Sequence, residues 1–150
     1  MVEYFIATAK DMDMLMKSRF EMLRVVNELP DDFEFSKELT DSSIDYFTNK
    51  NQTTVLARDK EIIGCATICY IDMMPTFSHP TGKRAHLMNV YTNRNYRRQG
   101  IAIHMIDMLM KEAKERGVTE ISLDATEAGR PLYEKCGFTE SDECMVLVLK

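Results

Sequence analysis

No C-x-x-C pair occurs in this chain. Its four cysteines, Cys65, Cys69, Cys136 and Cys144, and its three histidines, His79, His86 and His104, show no metal-ligand spacing. Neither a zinc module nor a disulfide framework is therefore expected. The thiols read as buried or half-buried, because a free cysteine packs as a small hydrophobe, and no metal is expected. No apolar run approaches the roughly 18 residues that cross a bilayer, so a membrane is not an expected partner. The first residues, Met1-Val2-Glu3-Tyr4-Phe5-Ile6, lack the basic region and cleavage site of a signal peptide, which makes a cytoplasmic location the expectation. Positive charge is in deficit. With Lys+Arg at 19 and Asp+Glu at 24, the net charge is −5; a nucleic-acid binder would carry a basic face instead, whereas a cationic substrate such as an amine is compatible. Repeats and low-complexity tracts are absent as well.

What is present suits one folded domain over residues 1–150. The length fits a single core, and 45% hydrophobic with 29% charged residues is ordinary for a globular chain. Residues 2–7 are apolar enough for a strand. Thr8 and Asp11 then form a capping-box pattern, opening a helix to about Asn27 that is expected to bury Leu15, Met22 and Val26. Residues 36–50 read as a more polar helix with Leu39, Ile44 and Phe47 as its apolar positions. Residues 53–58 and 62–73, rich in Val, Ile, Thr and Tyr, predict a hairpin turning at Asp59-Lys60-Glu61. After a Pro- and Gly-containing loop at 75–82, extended structure resumes over 84–92.

The next stretch decides the fold class. Residues 92–96 break the strand, and a glycine turn leads into a helix over about 100–116. Its apolar face is Ala102, Met105, Ile106, Leu109 and Ala113, with Asp107, Lys111, Lys114 and Glu115 opposite and Gly117 as the cap. A buried strand is expected at 118–125, completing a βαβ unit. A short helix at 129–135, the Cys136-Gly137-Phe138 turn and a last strand at 144–149 follow. The order β-α-α-β-β-β-α-β-α-β predicts an α/β (mixed α+β) fold with helices on both faces of one sheet.

Two motifs carry chemistry. Arg97-Arg98-Gln99-Gly100-Ile101-Ala102 has the form R-x-x-G-x-A. Gly100 permits a tight turn and close backbone approach. The free amides of the following helix turn and its macrodipole favour an anion such as a pyrophosphate. Downstream stands Leu132-Tyr133-Glu134-Lys135-Cys136-Gly137-Phe138. Leu132 and Phe138 read as core and Gly137 as a cap, which leaves Tyr133 without a structural reason.

Together the two motifs resemble the GNAT superfamily of N-acetyltransferases. Arg97, Gly100 and Ala102 match its Q/R-x-x-G-x-G/A loop, and Leu132 to Phe138 match its L-Y-E-K-x-G-F segment. Met88-Asn89-Val90-Tyr91-Thr92 looks like its acetyl-CoA-facing fourth strand. The resemblance implies a mixed, mostly antiparallel sheet whose fourth and fifth strands splay apart around the pantetheine arm. It further implies that Val90, Tyr91 and Thr92 border that arm, with Thr126 as a possible further contact. Amides from Arg98 through Gln99, Gly100, Ile101 and Ala102 to Ile103 would hold the pyrophosphate. Acetyl-CoA is the co-substrate so implied, and homodimers are common in the family.

The implied reaction is direct attack of a neutral primary amine, of a small molecule or a protein, on the thioester. A lysine-like amine, with a pKa of about 10.4, must first lose its proton. A bulge amide near Val90–Tyr91 is the natural oxyanion donor, and Tyr133 matches the family's general acid for the leaving thiolate. Where many relatives carry a glutamate on the fourth strand, this chain has Met88, so no base is identified; Glu127, His86 and Asp72 are candidates. The missing base leaves open a catalytically weak acyl-CoA-binding or sensing domain. The methionines of the first helix (Met12, Met14, Met16, Met22) read as core packing, and Phe33, Phe35, Tyr46, Tyr70 and Phe77 as candidates to shape the acceptor pocket.

Overall fold

The computed structural model describes residues 1–141 and 143–149. Its elements run β1 (Glu3–Ile6), α1 (Met12–Val26), α2 (Lys37–Asn49), β2 (Gln52–Asp59), β3 (Glu61–Asp72), β4 (Lys83–Thr92), α3 (Ile101–Glu115), β5 (Glu120–Leu123) and α4 (Arg130–Lys135). The strands form one sheet in the order β1-β2-β3-β4-β5. The first three pairings are antiparallel, and β4 pairs with β5 in parallel. This is the mixed, mostly antiparallel sheet that the family resemblance implies.

Local chemistry sets the element boundaries. The Thr8–Asp11 capping box forms, closing a single 3-10 turn before α1. Ser36 caps α2 by accepting the Leu39 amide. The β2–β3 turn tightens to Lys60 alone, at φ +70°. Arg116 ends α3 and Gly117 follows with positive φ, the left-handed exit typical of a helix C-terminus.

The sheet divides two cores. On one face α3 presents Met105, Ile106, Leu109 and Ala113 to Val55, Ala57, Ala66, Ile68, Ala85 and Leu87. On the other, Leu15 and Met22 of α1 and Phe47 of α2 cover Leu56, Cys65 and Tyr91. Met12, Met14 and Met16 pack against this second core, in keeping with the packing reading of that helix.

Several expectations require correction. Residues 144–149 form no strand: Met145, Val146, Leu147, Val148 and Leu149 are 72–94% exposed. Apolar, β-branched sequence makes a strand only where a neighbouring edge accepts its ladder, and this run has none among the described residues. For the same reason the fifth strand is shorter than 118–125 and alternates exposed and half-buried rather than being buried; among the described residues it has a neighbour on the β4 side alone. Val26 is 62% exposed because it falls on the last turn of α1, past the core. Leu39 and Ile44 are also exposed, since α2 reaches the second core only through Phe47. Cys65 is buried and Cys69 and Cys136 half-buried, but Cys144 is exposed.

Candidate active site

The site begins with one extra residue in β4. Cys65 pairs with Tyr91 and Thr67 with Met88, so Asn89 and Val90 together oppose Ala66. This is a β-bulge, with Asn89 in the left-handed conformation (φ +59°). The bulge reverses side-chain parity, because alternation has period two. Leu87 faces the α3-side core, whereas Tyr91, four residues on, faces the α1-side core.

The bulge lies where β4 loses its neighbour. Pairing with β5 stops at Leu87–Leu123, and the two strands separate beyond it. Asn93 N–H donates to the Ile63 carbonyl at 2.7 Å, which fixes the hydrogen-bonding phase. Residues 93 and 91 bond toward β3. Across the planar trans peptides, the Val90 carbonyl and the Thr92 N–H and carbonyl then point the other way, into the gap. The Thr92 carbonyl accepts from Arg97 Nε at 3.1 Å, tying the following turn to the strand. The Thr92 hydroxyl is buried without a partner among the described residues.

The turn over residues 97–100 is built on positive φ at Arg98 (+64°) and Gly100 (+76°). A Cβ at Gly100 would meet nothing within 4 Å, so the space above it is open. The first backbone bond into α3 is His104 N–H to the Gly100 carbonyl. The amides of Ile101, Ala102 and Ile103 are thus first-turn donors with no intrahelical acceptor. Arg97, Arg98 and Gln99 are exposed around them.

Tyr133 approaches from α4. Thr126 accepts the Gly129 amide at 3.1 Å through its hydroxyl and Pro131 occupies the first turn, so this helix starts at a fixed point. A Cβ at Gly129 would lie 3.1 Å from the Tyr133 ring; glycine is what lets the ring fold back over the turn. The ring stands edge-on to Phe138 with centroids 6.2 Å apart. Burial, and to a lesser extent the nearby Cys136 thiol, push the Tyr133 hydroxyl above its ordinary pKa. It stays protonated at neutral pH and has no hydrogen-bond partner among the described residues.

On the opposite face a cavity of about 240 Å³ opens between α1, α2 and the bulge. Arg19 comes from α1 and Ser42, Ser43, Tyr46 and Phe47 from α2; Thr67, Cys69, Met88 and Asn89 form the floor. A relay of donors crosses it. Arg19 Nη1 donates to Asn89 Oδ1 (3.1 Å), and Asn89 Nδ2 to Thr67 Oγ1 (3.1 Å). Thr67 and Thr54 share a 2.7 Å bond, and Thr54 donates to Gln52 Oε1 at 2.7 Å. Each donor orders the next. The buried Cys65 Sγ meets the Asn89 carbonyl at 3.3 Å, so both ends of the asparagine are held in its unusual conformation.

The sequence profile of the acetyltransferase (GNAT) family matches residues 20–138. The chain belongs to that family. A predicted acetyltransferase from Clostridium acetobutylicum, solved with acetyl-CoA, is 35% identical with a TM-score of 0.85, over 99% of this chain and 96% of that one. Glucosamine 6-phosphate N-acetyltransferase 1 of Dictyostelium discoideum is 29% identical over 89 residues, 59% of this chain and 55% of the relative. A probable glucosamine 6-phosphate N-acetyltransferase 2 of Oryza sativa subsp. japonica is 33% identical over 66 residues, 44% and 40% respectively. The chain spans about half the length of the curated relatives it matches.

In this GNAT chain the structure brings Val90, Thr92 and the turn over 97–103 to one side of the splayed strands. Tyr91 differs from its neighbours: its backbone bonds toward β3 and its ring is buried against α1. Of the aromatic candidates, Tyr46 lines the cavity. Phe33 and Phe35 instead pack with each other and with Phe20, Tyr70 lines a separate cavity with Arg116, and Phe77 is fully exposed. None of the candidate bases lines this cavity. His86 is taken by Ser122 at 2.7 Å, Asp72 lines the second cavity and Glu127 is exposed. Arg19 and Asn89 are the residues that sequence reasoning did not single out. Asn89 carried a signal, an Asn in a β-branched strand that tolerates the left-handed region; Arg19 carried none.

Proposed function

We propose that the chain transfers the acetyl group of acetyl-CoA to a primary amine of a small molecule or a protein, acting as a single domain over residues 1–150 in the cytoplasm. One observation carries this reading: β4 and β5 part at Leu87–Leu123, directly beside an open glycine turn with free helix amides. An extended pantetheine arm would lie in the gap as an added strand, meeting the Val90 carbonyl and the Thr92 amide. The pyrophosphate would sit over Gly100, against the amides of Ile101, Ala102 and Ile103, with Arg98 and Gln99 at the rim. These residues fit the group, because a Cβ-free, open cradle with a positive helix terminus suits a diphosphate.

The Tyr91 amide is committed to β3, which leaves the Val90 amide of the bulge as the oxyanion donor. Tyr133, kept protonated by burial, would deliver its proton to the departing thiolate. No carboxylate or imidazole lines the acceptor cavity among the described residues, so the amine would arrive neutral or lose its proton to water. That same lack of a base favours the competing reading, an acyl-CoA-binding or sensing domain.

Thiol release from acetyl-CoA, followed with a panel of amines, decides between the two. The curated relatives place glucosamine 6-phosphate in that panel. At least one amine should accelerate release, and Tyr133→Phe should lower kcat roughly 10²-fold with acetyl-CoA affinity retained. Tight CoA binding with no amine-dependent release would establish the sensor instead.

A further inference from the structure

We infer that the acceptor is an anionic amine, a primary amine carrying a phosphate or carboxylate group, and that the Arg19 guanidinium holds its acidic end. The inference rests on the transferase reading and assigns the substrate class of the same cavity.

Arg19 is the cation of a cavity that no carboxylate lines among the described residues. Its side chain is only partly exposed, and its one hydrogen bond among the described residues is to the neutral Oδ1 of Asn89. It forms no ion pair with any described carboxylate. A guanidinium has five N–H donors in a planar fork, so four remain for whatever enters. No other Lys or Arg lines the cavity among the described residues. Desolvation already lowers the Arg19 pKa, with the thiols Cys65 and Cys69 as weaker opposing influences; a bound anion would relieve that cost.

The remaining polar groups define where the anion sits. Ser43 donates to the Leu39 carbonyl at 2.7 Å, and the Thr67 hydroxyl is held within the relay; the Tyr46 hydroxyl lines the cavity with no hydrogen bond among the described residues. Ser42, exposed at the cavity mouth, makes no hydrogen bond among the described residues. Its hydroxyl and that of Tyr46 are free to join Arg19 on a phosphate or carboxylate oxygen, and charge-assisted bonds of this kind are about twice as strong as neutral ones. The geometry also selects against cations. A polyamine or a basic peptide would bring positive charge to a guanidinium with no carboxylate to screen it, whereas a neutral amino group tethered to an anion is drawn in. The acidic overall charge suggests a cationic acceptor; the local charge in the cavity reverses that expectation.

The test compares acceptors that differ in charge: an amino sugar phosphate, the same amino sugar without phosphate, an α-amino acid and a diamine. The wild type should favour an anionic acceptor over its neutral counterpart by at least about 10²-fold in kcat/KM, the phosphate and amino-acid arms separating the two anions. Arg19→Gln removes the charge and, being shorter, the bond to Asn89 as well. It should raise KM for the anionic acceptor about 10–10²-fold more than for the neutral amine, with Arg19→Lys in between. Equal turnover of the diamine, or equal losses on every acceptor, would overturn the assignment. A second readout needs no chemistry. Inorganic phosphate titrated calorimetrically into CoA-saturated protein should bind the wild type and not Arg19→Gln. If no amine is turned over while phosphate still binds through Arg19, the transferase reading fails and the anion site stands. If phosphate does not bind, the site fails whatever the enzyme does.

Discussion

Replacing Asn89 separates a bulge held in the left-handed region from an ordinary strand position, and the two give opposite signs. Asn89 is 8% exposed, sits at φ +59° and makes side-chain bonds to Arg19 and Thr67. Truncation to alanine removes a bond to a charged donor, worth about 1.5 kcal/mol at the lower end of its range because Arg19 regains water, and a neutral bond worth about 1 kcal/mol. Alanine lacks the short polar side chain by which asparagine tolerates the left-handed region, which costs roughly 1 kcal/mol more. Asn89→Ala should therefore lose about 3.5 kcal/mol, and at about 2–4 °C per kcal/mol for a chain of this size Tm should fall by roughly 7–14 °C. Asn89→Gly loses the same bonds but not the backbone term, so it should be the more stable variant by roughly 1 kcal/mol. In a regular strand the order is reversed, glycine being worse than alanine by about 0.5–1 kcal/mol. Urea unfolding of both variants, read as a change in midpoint at constant m-value, measures the difference. An alanine variant as stable as the glycine variant, or a loss below about 1 kcal/mol, would refute the bulge and its relay.

Two further expectations follow from the same structure. Gly100→Val should weaken acetyl-CoA binding by at least about 10²-fold in calorimetry while the far-ultraviolet circular dichroism stays native, since the new Cβ touches no protein atom but enters the ligand's space, and a β-branched residue at φ +76° also strains the turn; unchanged affinity would put the diphosphate elsewhere. Burial pushes the Cys65 thiol up to about 12 from an ordinary 9.0, with Ser18 and Arg19 opposing. Its share of stability is thus complete below pH 9 and is lost as pH rises toward 12, because the unfolded chain ionises first. Cys65→Ala should flatten the alkaline decline in unfolding free energy by up to about 1.4 kcal/mol per pH unit, and an unaltered slope would show that the thiol is not so buried.

The parts of this fold legible in the sequence are those dictated by local chemistry. The α3 face could be read because Met105, Ile106, Leu109 and Ala113 recur at helical spacing and all four are buried. The Thr8–Asp11 box and Gly117 mark boundaries through groups at most a few residues away. Val26, Leu39 and Ile44 misled because periodicity names a face without saying how far the core extends beneath it. Residues 144–149 misled because strand formation depends on a partner edge. Arg19 was illegible for a related reason. On α1 it is one charged residue among several, and only the tertiary fold carries it to Asn89, 70 positions away in the chain.

The reversal of parity in β4 also bears on how such a chain can diverge. Leu87 and Tyr91 are committed to opposite cores, Asn89 to the relay, and Val90 and Thr92 to the gap through their backbones. A one-residue insertion or deletion in this stretch would turn over every residue beyond it, so its length is tightly constrained. Met88, 44% exposed on the cavity floor, is bound by none of these commitments, and neither is Ser42 at the mouth. Acceptor preference can drift by substitution at these two positions while the donor side is inherited intact, which gives a lineage a fixed chemistry and a changeable diet.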